Sequence, residues 1–165
     1  MNDMKDAFRK AGYKGIKAGF AAASVQSAPD TGKLLNPQQG EGIPQDYVAR
    51  AEQVITGLRK TMGNNYKNFT TTKIRNILSM VNQIYNDVLM EQSETLSPDI
   101  QSQIKYLKVR LVYECGREPR VIKPFVSEAG LLSIITEIGD SRKKFIEFSR
   151  YMEALVAYHR FYGGE

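Results

Sequence analysis

From Tyr47 onward, hydrophobic residues recur at intervals of three and four positions, which is the spacing of one face of an α-helix. The first such stretch ends at residues 63–65 (Gly-Asn-Asn), and a second begins at Thr71 or Thr72, either of which can cap a helix start. The apolar positions of the first stretch are Val48, Ala51, Val54, Ile55, Leu58 and Met62. Those of the second are Ile74, Ile77, Leu78, Val81, Ile84, Tyr85 and Val88. The pattern predicts two amphipathic helices.

Three further helices are predicted beyond residue 96. Residues 97–99 (Ser-Pro-Asp) place a capping serine, a first-turn proline and an acid where a helix start favours them, and Gly116 ends this helix. Pro119 and Pro124 bound a short segment that we predict to be an irregular joint, and Gly139 ends the helix that follows. The predicted core positions of these two helices are Ile100, Ile104, Leu107, Leu111, Leu131, Ile134, Ile135 and Ile138. With no alternating period-two run, the sequence predicts an all-α, compact bundle of about five helices.

The last helix carries apolar residues around most of its circumference over residues 150–164. Its candidate caps are Asp140 and Ser141. Helices that are apolar on all sides usually lie in the interior, so we predict the central helix of the bundle here. Arg150 is then expected to pair inside the fold with Glu147 or Glu153.

Residues 1–46 differ from the rest because they are rich in glycine, contain three prolines and show no sustained helical stripe. We predict a flexible or weakly ordered N-terminal tail over residues 1–46 and a helical bundle domain over residues 47–165. An apolar run at residues 16–25 is interrupted by Lys17 and preceded by Asp3 and Asp6, which disfavours a secretory signal. The single cysteine, Cys115, fits a reducing compartment, and a cytoplasmic location is predicted.

Catalytic chemistry is sparse in this sequence. His159 is the only histidine, and the neighbouring Glu153 lies on a different face of the same helix, so a packed or hydrogen-bonded role is expected. The sequence contains neither a Glu-x-x-His pair nor a glycine-lysine phosphate loop. We therefore predict no catalytic residue, no metal and no cofactor. The enzymatic alternative is a nucleophile formed if the fold brings Cys115 to His159.

The basic residues are more informative because several lie at helix starts. There a cation opposes the helix macrodipole, typically at a cost of about 0.3–1 kcal/mol, whereas exposed amides and cations together can bind a phosphate. The charge balance, 23 Lys and Arg against 18 Asp and Glu, permits an acidic partner without requiring one. The candidate phosphate contacts are Lys73, Arg75, Lys105, Lys108, Arg110, Arg117, Arg120, Lys123, Arg142, Lys143 and Lys144. The tyrosines that could stack on bases, but whose spacing favours core positions, are Tyr106, Tyr113, Tyr151 and Tyr158.

Three blocks of the sequence resemble the small subunit of type III-A (Csm) CRISPR effector complexes. They are NFTTTKIRNILSMVNQIY at residues 68–85, YLKVRLVYECGRE at residues 106–118 and RYMEALVAYHRFYGG at residues 150–164. The predicted first helix, beginning with YVARAE at residues 47–52, fits as well, so the resemblance extends over about residues 47–165. The first 46 residues match nothing in that family.

The resemblance implies properties that periodicity and spacing do not show. Copies of a compact bundle would stack head to tail along a ribonucleoprotein filament, between the backbone subunits and the crRNA–target RNA duplex. The subunit would have no active site, since the backbone subunit cuts RNA and the large subunit has the DNase and cyclic oligoadenylate activities. The implied contacts to the target RNA backbone are Lys73, Arg75, Lys108, Arg110, Arg117 and Arg120. The cations that rest on the helix-start argument alone are Arg142, Lys143 and Lys144.

The leading hypothesis is therefore a non-catalytic, RNA-binding subunit of a CRISPR ribonucleoprotein in antiviral and plasmid defence. Its partners would be target RNA, other Csm subunits and copies of itself, with Arg160 and Gly163-Gly164 as candidates for subunit contacts. Each copy is expected to bind RNA weakly, and sequence specificity would come from guide pairing. The alternative is a helical protein-interaction adaptor that docks a partner through its C-terminal aromatic helix and leaves its cations in solvent.

Overall fold

The computed structural model describes Ile43 and residues 45–164, and within these residues the chain forms six α-helices and one 3₁₀ helix. The elements in chain order are α1 (Tyr47–Met62), the 3₁₀ helix (Gly63–Asn68), α2 (Thr71–Met90), α3 (Pro98–Arg117), α4 (Ile122–Glu128), α5 (Leu131–Ile138) and α6 (Arg142–Phe161). The predicted all-α bundle is confirmed. Most of the predicted tail lies outside the described residues.

Helix starts and stops follow the local chemistry at most of the predicted positions. The Ser97 hydroxyl accepts a hydrogen bond from the Ile100 amide, and the Ser141 hydroxyl accepts one from the Lys144 amide. Gly139 ends α5 with a φ of 54°, a left-handed conformation that favours glycine. The prediction for α2 is wrong in detail, because Thr70 occupies the cap position and makes no side-chain cap bond.

The predicted irregular joint is wrong, because residues 122–128 form the short helix α4. Pro124 is the third residue of this helix, where its missing N–H would have no intrahelical partner in any case. Ile122, Phe125 and Val126 of α4 are buried in the core. Burial of this apolar face stabilises a helix that local sequence alone does not indicate.

The central position of α6 is confirmed, since it packs against α1, α2 and α5. Tyr151, Met152 and Leu155 are completely buried in the cluster that those helices surround. The predicted pairing of Arg150 is wrong: this side chain is exposed, and no carboxylate of residues 45–164 lies within 4.0 Å of it. A position on the outer edge of α6 leaves its guanidinium in solvent.

Candidate nucleic-acid interface

The start of α2 lies against the end of α3, and an ion-pair network joins them. Lys73 Nζ is 2.6 Å from Glu118 Oε2, and Arg117 Nη2 is 2.7 Å from Glu114 Oε2 and 3.8 Å from Glu118 Oε1. Glu118 therefore lies between the lysine of one helix and the arginine of the other. We name the region formed by Lys73, Arg110, Glu114, Arg117 and Glu118 the α2–α3 junction.

The α2–α3 junction borders a cavity of about 330 Å³. Its polar lining residues are Lys73, Asn76, Ser79, Arg110, Glu114, Arg117 and Glu118. Three of the predicted phosphate contacts are thus brought together, although they are separated by up to 44 positions in sequence. Arg110 differs from the other two cations, because no carboxylate in the described part of the chain lies within 4.0 Å of it. The lining carries three cations and two carboxylates, and its positive charge is small.

Two further predicted contacts lie close in sequence to residues of the α2–α3 junction and are exposed. Arg75 is an exposed residue two positions after Lys73, and Arg120 is exposed in the turn that follows Glu118. Neither guanidinium has a carboxylate within 4.0 Å among residues 45–164. Arg75, Arg110 and Arg120 are three of the predicted cations that have no ion pair within residues 45–164.

Lys108 lies apart from the junction and connects two helices. Its ammonium group donates a hydrogen bond of 2.7 Å to the hydroxyl of Thr136 on α5, and that hydroxyl donates in turn to the carbonyl of Leu132. The Lys108 side chain is therefore already engaged in holding α3 against α5.

The cations at the start of α6 contact the ends of other helices. Arg142 Nε donates to the carbonyl of Val88 in the last turn of α2, at 3.2 Å. Lys144 Nζ donates to the carbonyl of Glu137 in the last turn of α5, at 3.1 Å. Carbonyls at helix C-termini lack intrahelical partners and form the negative end of the macrodipole, which favours a cation. The dipole of α6 opposes these cations, but the dipoles of α2 and α5 favour them.

Lys143 is the most accessible cation of this group. Its side chain is 86% exposed and lies 3.9 Å from Glu147 one turn later, a loose surface pair. The amide of Arg142 also donates to the carbonyl of Glu94, at 3.0 Å, which ties the start of α6 to the loop before α3. Arg142 and Lys144 therefore bind backbone carbonyls of the fold, which explains their position at a helix start without a phosphate. Lys143 has only the loose surface pair with Glu147.

The tyrosines divide into two kinds. Tyr151 is completely buried, its hydroxyl donates to the carbonyl of Ala129, and burial raises its pKa to about 12. Tyr106 and Tyr113 are 63% and 59% exposed, so the expectation that they belong to the core is wrong. The core side of α3 is formed by the Ile104–Leu107–Leu111 stripe, and the two tyrosines lie on the outer side of the helix.

His159 is buried in the end of the bundle, as expected for a packed and hydrogen-bonded residue. Its Nε2 donates to the carbonyl of Phe69 at 2.7 Å, and its ring packs against Tyr66 and Phe69. Burial lowers the pKa of His159 below its ordinary value, so the neutral ring is favoured.

The carbonyl of Gly164 accepts hydrogen bonds from Thr71 Oγ1 and Arg160 Nη1. Gly164 is buried, which leaves it little surface for a subunit contact.

The charged groups that affect Cys115 on α3 are Lys123 and Glu114, and His159 is not among them. Burial raises the pKa of the Cys115 thiol, which lowers the fraction of nucleophilic thiolate.

Within residues 45–164, His, Cys, Asp and Glu side chains form no group of three or more that could hold a metal ion. The helices of this region also include none with the length and apolarity needed to cross a membrane.

Comparison with known proteins gives a consistent result. The family model described as Csm2 Type III-A matches residues 48–165. A protein named CRISPR system Cms protein Csm2 from Mycobacterium tuberculosis (strain CDC 1551 / Oshkosh) is 43% identical over 119 residues, covering 72% of this chain and 93% of that protein. The protein of the same name from Streptococcus thermophilus is 39% identical over 121 residues, covering 73% and 94%. That from Enterococcus italicus is 30% identical over 136 residues, covering 79% and 96%.

Proposed function

Because this chain belongs to the Csm2 family, the small subunit of type III-A CRISPR complexes, we propose that it is a non-catalytic subunit that contacts the RNA backbone. In this role several copies line a ribonucleoprotein filament in the cytoplasm and hold the target RNA of the crRNA–target duplex. Other Csm subunits supply the catalytic steps. The chain contributes cations and shape, and base pairing to the guide supplies sequence specificity.

One observation carries the RNA-binding part of the proposal: exposed arginines without ion pairs lie in the α2–α3 junction or close to it in sequence. Arg75, Arg110 and Arg120 can each donate two hydrogen bonds to a phosphate without first breaking an ion pair within the described chain. Lys73 and Arg117 would add to this surface by exchanging a glutamate oxygen for a phosphate oxygen. Three side chains would contact RNA only after giving up a bond within the fold: Lys108, Arg142 and Lys144.

The charges predict weak binding by a single copy. The chain has a formal net charge of +5, and two cations of the α2–α3 junction are already neutralised. A protein that contacts few phosphates releases few counterions, so its affinity is low at physiological salt. Several copies bound in register on one RNA strand would raise the effective affinity without any new contact.

The experiment uses complexes reconstituted with all Csm subunits and crRNA. Arg75→Glu combined with Arg120→Glu is expected to weaken retention of target RNA and to reduce the dependence of affinity on salt concentration, measured by filter binding. The matched control is Lys60→Glu with Lys67→Glu, two exposed cations outside the predicted set. Unchanged affinity and salt dependence in the Arg75/Arg120 variant would contradict RNA backbone binding at this surface.

The alternative function is a protein-interaction adaptor that does not contact nucleic acid. It predicts docking of a partner through α6, but the large aromatic and aliphatic residues of that helix other than Phe161 are buried or half-buried in the bundle. Phe161, at the end of α6, is the exception, with 77% of its surface exposed. A protein partner would therefore find little apolar surface on α6.

A further inference from the structure

The outer side of α3 exposes an apolar surface that neither the fold nor RNA backbone binding explains. Of the eight large hydrophobic side chains exposed in the described part of the chain, four lie within eight consecutive residues of this helix. They are Tyr106 (63% exposed), Val109 (61%), Val112 (53%) and Tyr113 (59%). Positions three and four apart share a helix face, so these side chains form one continuous strip. We name it the α3 outer face.

Such a strip on a small domain indicates a contact surface. Single exposed apolar residues are ordinary, but contiguous patches of them mark sites of interaction. The opposite side of α3 already supplies the core through Ile104, Leu107 and Leu111. The α3 outer face is therefore additional to what the bundle needs for folding.

The charges beside the strip indicate what it would contact. Lys105 precedes Val109 by one turn, and Arg110 lies one turn from both Tyr106 and Tyr113. Both cations are exposed, and neither has a carboxylate within 4.0 Å among residues 45–164. A surface with an apolar centre and cations at its edge is complementary to an apolar surface bordered by carboxylates.

A recess next to the strip would take an anchoring side chain. A groove of about 630 Å³ lies between α2 and α3, with Tyr106 at its edge and Met80, Ile84 and Leu107 among its lining residues. Buried anchors that fill such recesses dominate the affinity of many protein interfaces.

Two other occupants fit less well. A second copy bound through the same face would bring Lys105 and Arg110 of each chain together, and like charges would oppose that contact. RNA could stack bases on the two tyrosines, but Val109 and Val112 offer no aromatic face, and their exposed apolar area would remain next to phosphates.

We propose that the α3 outer face docks another protein subunit of the ribonucleoprotein, through an apolar surface bordered by acidic residues on that subunit. This inference rests on the function proposed above and adds the surface through which the chain joins the complex. Along α3, the apolar strip binds protein and Arg117 lies in the surface proposed to bind RNA, while Arg110 borders both surfaces.

The first experiment identifies the molecule that contacts the α3 outer face. A photoreactive benzoylphenylalanine in place of Tyr113, introduced into the reconstituted complex, is expected to cross-link to an acidic segment of another Csm subunit. The same group in place of Met90, which is 86% exposed but outside the strip, serves as the control and should not form that product. Products with RNA, with a second copy of this chain, or with residues 1–42 of the same chain would each overturn the proposal.

The second experiment measures how much the α3 outer face contributes to incorporation of the chain into the complex. Val109→Glu with Val112→Glu is expected to weaken incorporation into a complex lacking this subunit at least about tenfold, because it places carboxylates opposite carboxylates. Incorporation is measured by titration without target RNA, so it does not depend on the RNA contacts. Tyr106→Ser with Tyr113→Ser, which adds no charge, should weaken it in the same direction, and Met90→Glu should not. Incorporation of both double variants equal to wild type would overturn the docking surface, whereas failure of the wild-type chain to incorporate would overturn the proposed function itself.

Discussion

The start of α6 and the α2–α3 junction carry similar basic residues but use them differently. At the start of α6, Arg142 and Lys144 donate to backbone carbonyls at the ends of two other helices. Near the α2–α3 junction, Arg75 and Arg120 extend into solvent without an ion pair within residues 45–164. A cation at a helix start is thus no sign of a phosphate site until the neighbouring helix ends are known. The first region stabilises the fold, and the second is available to a ligand.

The largest expected difference in stability is between the buried side of α6 and the exposed side of α3. Leu155→Ala on α6 should lower the free energy of unfolding by about 2–5 kcal/mol, because the side chain is completely buried and its removal leaves a cavity. Val109→Ala on the α3 outer face should change it by less than about 0.5 kcal/mol. Chemical denaturation of both variants measures the difference. Equal effects would show that the α3 outer face is covered within the chain itself.

A smaller difference in the free energy of unfolding is expected between variants of Arg142 and Arg75. Arg142→Ala removes the partner of the Val88 carbonyl and should lower the free energy of unfolding by about 1 kcal/mol. Arg75→Ala should leave it unchanged within about 0.5 kcal/mol, since this side chain has no ion pair in the described part of the chain. Thermal unfolding at matched protein concentration compares them. A destabilising Arg75→Ala with a neutral Arg142→Ala would reverse the assignment of the two regions.

The pH dependence of stability tests whether His159 belongs to the fold. Burial lowers its pKa in the folded state, so between that value and the ordinary pKa the unfolded chain binds more protons than the folded chain. Stability should therefore fall as the pH drops below about 6.5. His159 is the only histidine, so the free energy of unfolding measured between pH 7.5 and 5.5 reports mainly on this group. The slope in His159→Gln should be smaller, and an identical slope would assign the effect elsewhere.

The smallest expected effect concerns the glutamate shared by the α2–α3 junction. Glu118→Gln removes the carboxylate that neutralises Lys73, so this lysine becomes available to phosphate, while Arg117 keeps its pair with Glu114. Retention of target RNA by the complex should rise about two- to threefold at low salt, in line with an exposed pair worth less than about 1 kcal/mol. Glu94→Gln, at an exposed loop position away from the junction, is the control. Weaker RNA retention in Glu118→Gln would mean that the ion pairs position the cations for RNA.

Periodicity and capping residues predicted most of this architecture. The core faces of α1, α2, α3, α5 and α6 lie where the apolar spacing indicated, except at Val48, which is exposed. One stripe in each helix is enough to define its buried side. Helix α4 could not be predicted, since Pro119 before it and Pro124 within it suggest a loop and its stability comes from tertiary burial of Phe125.

The surface was harder to predict than the core. Helix α3 has apolar residues on two sides, and although spacing identified its buried stripe, it also favoured core positions for Tyr106 and Tyr113, which are exposed. The bonds of Arg142 and Lys144 join residues that are distant in sequence or on different helices, and no local pattern records them. Family resemblance identified the chain, but the distinction between bound and available cations required the three-dimensional contacts.

The most direct test compares target RNA retention by two reconstituted complexes at equal subunit incorporation. One contains Arg75→Glu with Arg120→Glu, and the other contains Arg142→Gln. The account predicts that the first complex loses RNA affinity with a shallower salt dependence, and that the second retains RNA like wild type despite a less stable subunit. Wild-type retention in the first complex with loss in the second would contradict the central claim that the cations adjoining the α2–α3 junction bind RNA while those at the start of α6 hold the fold.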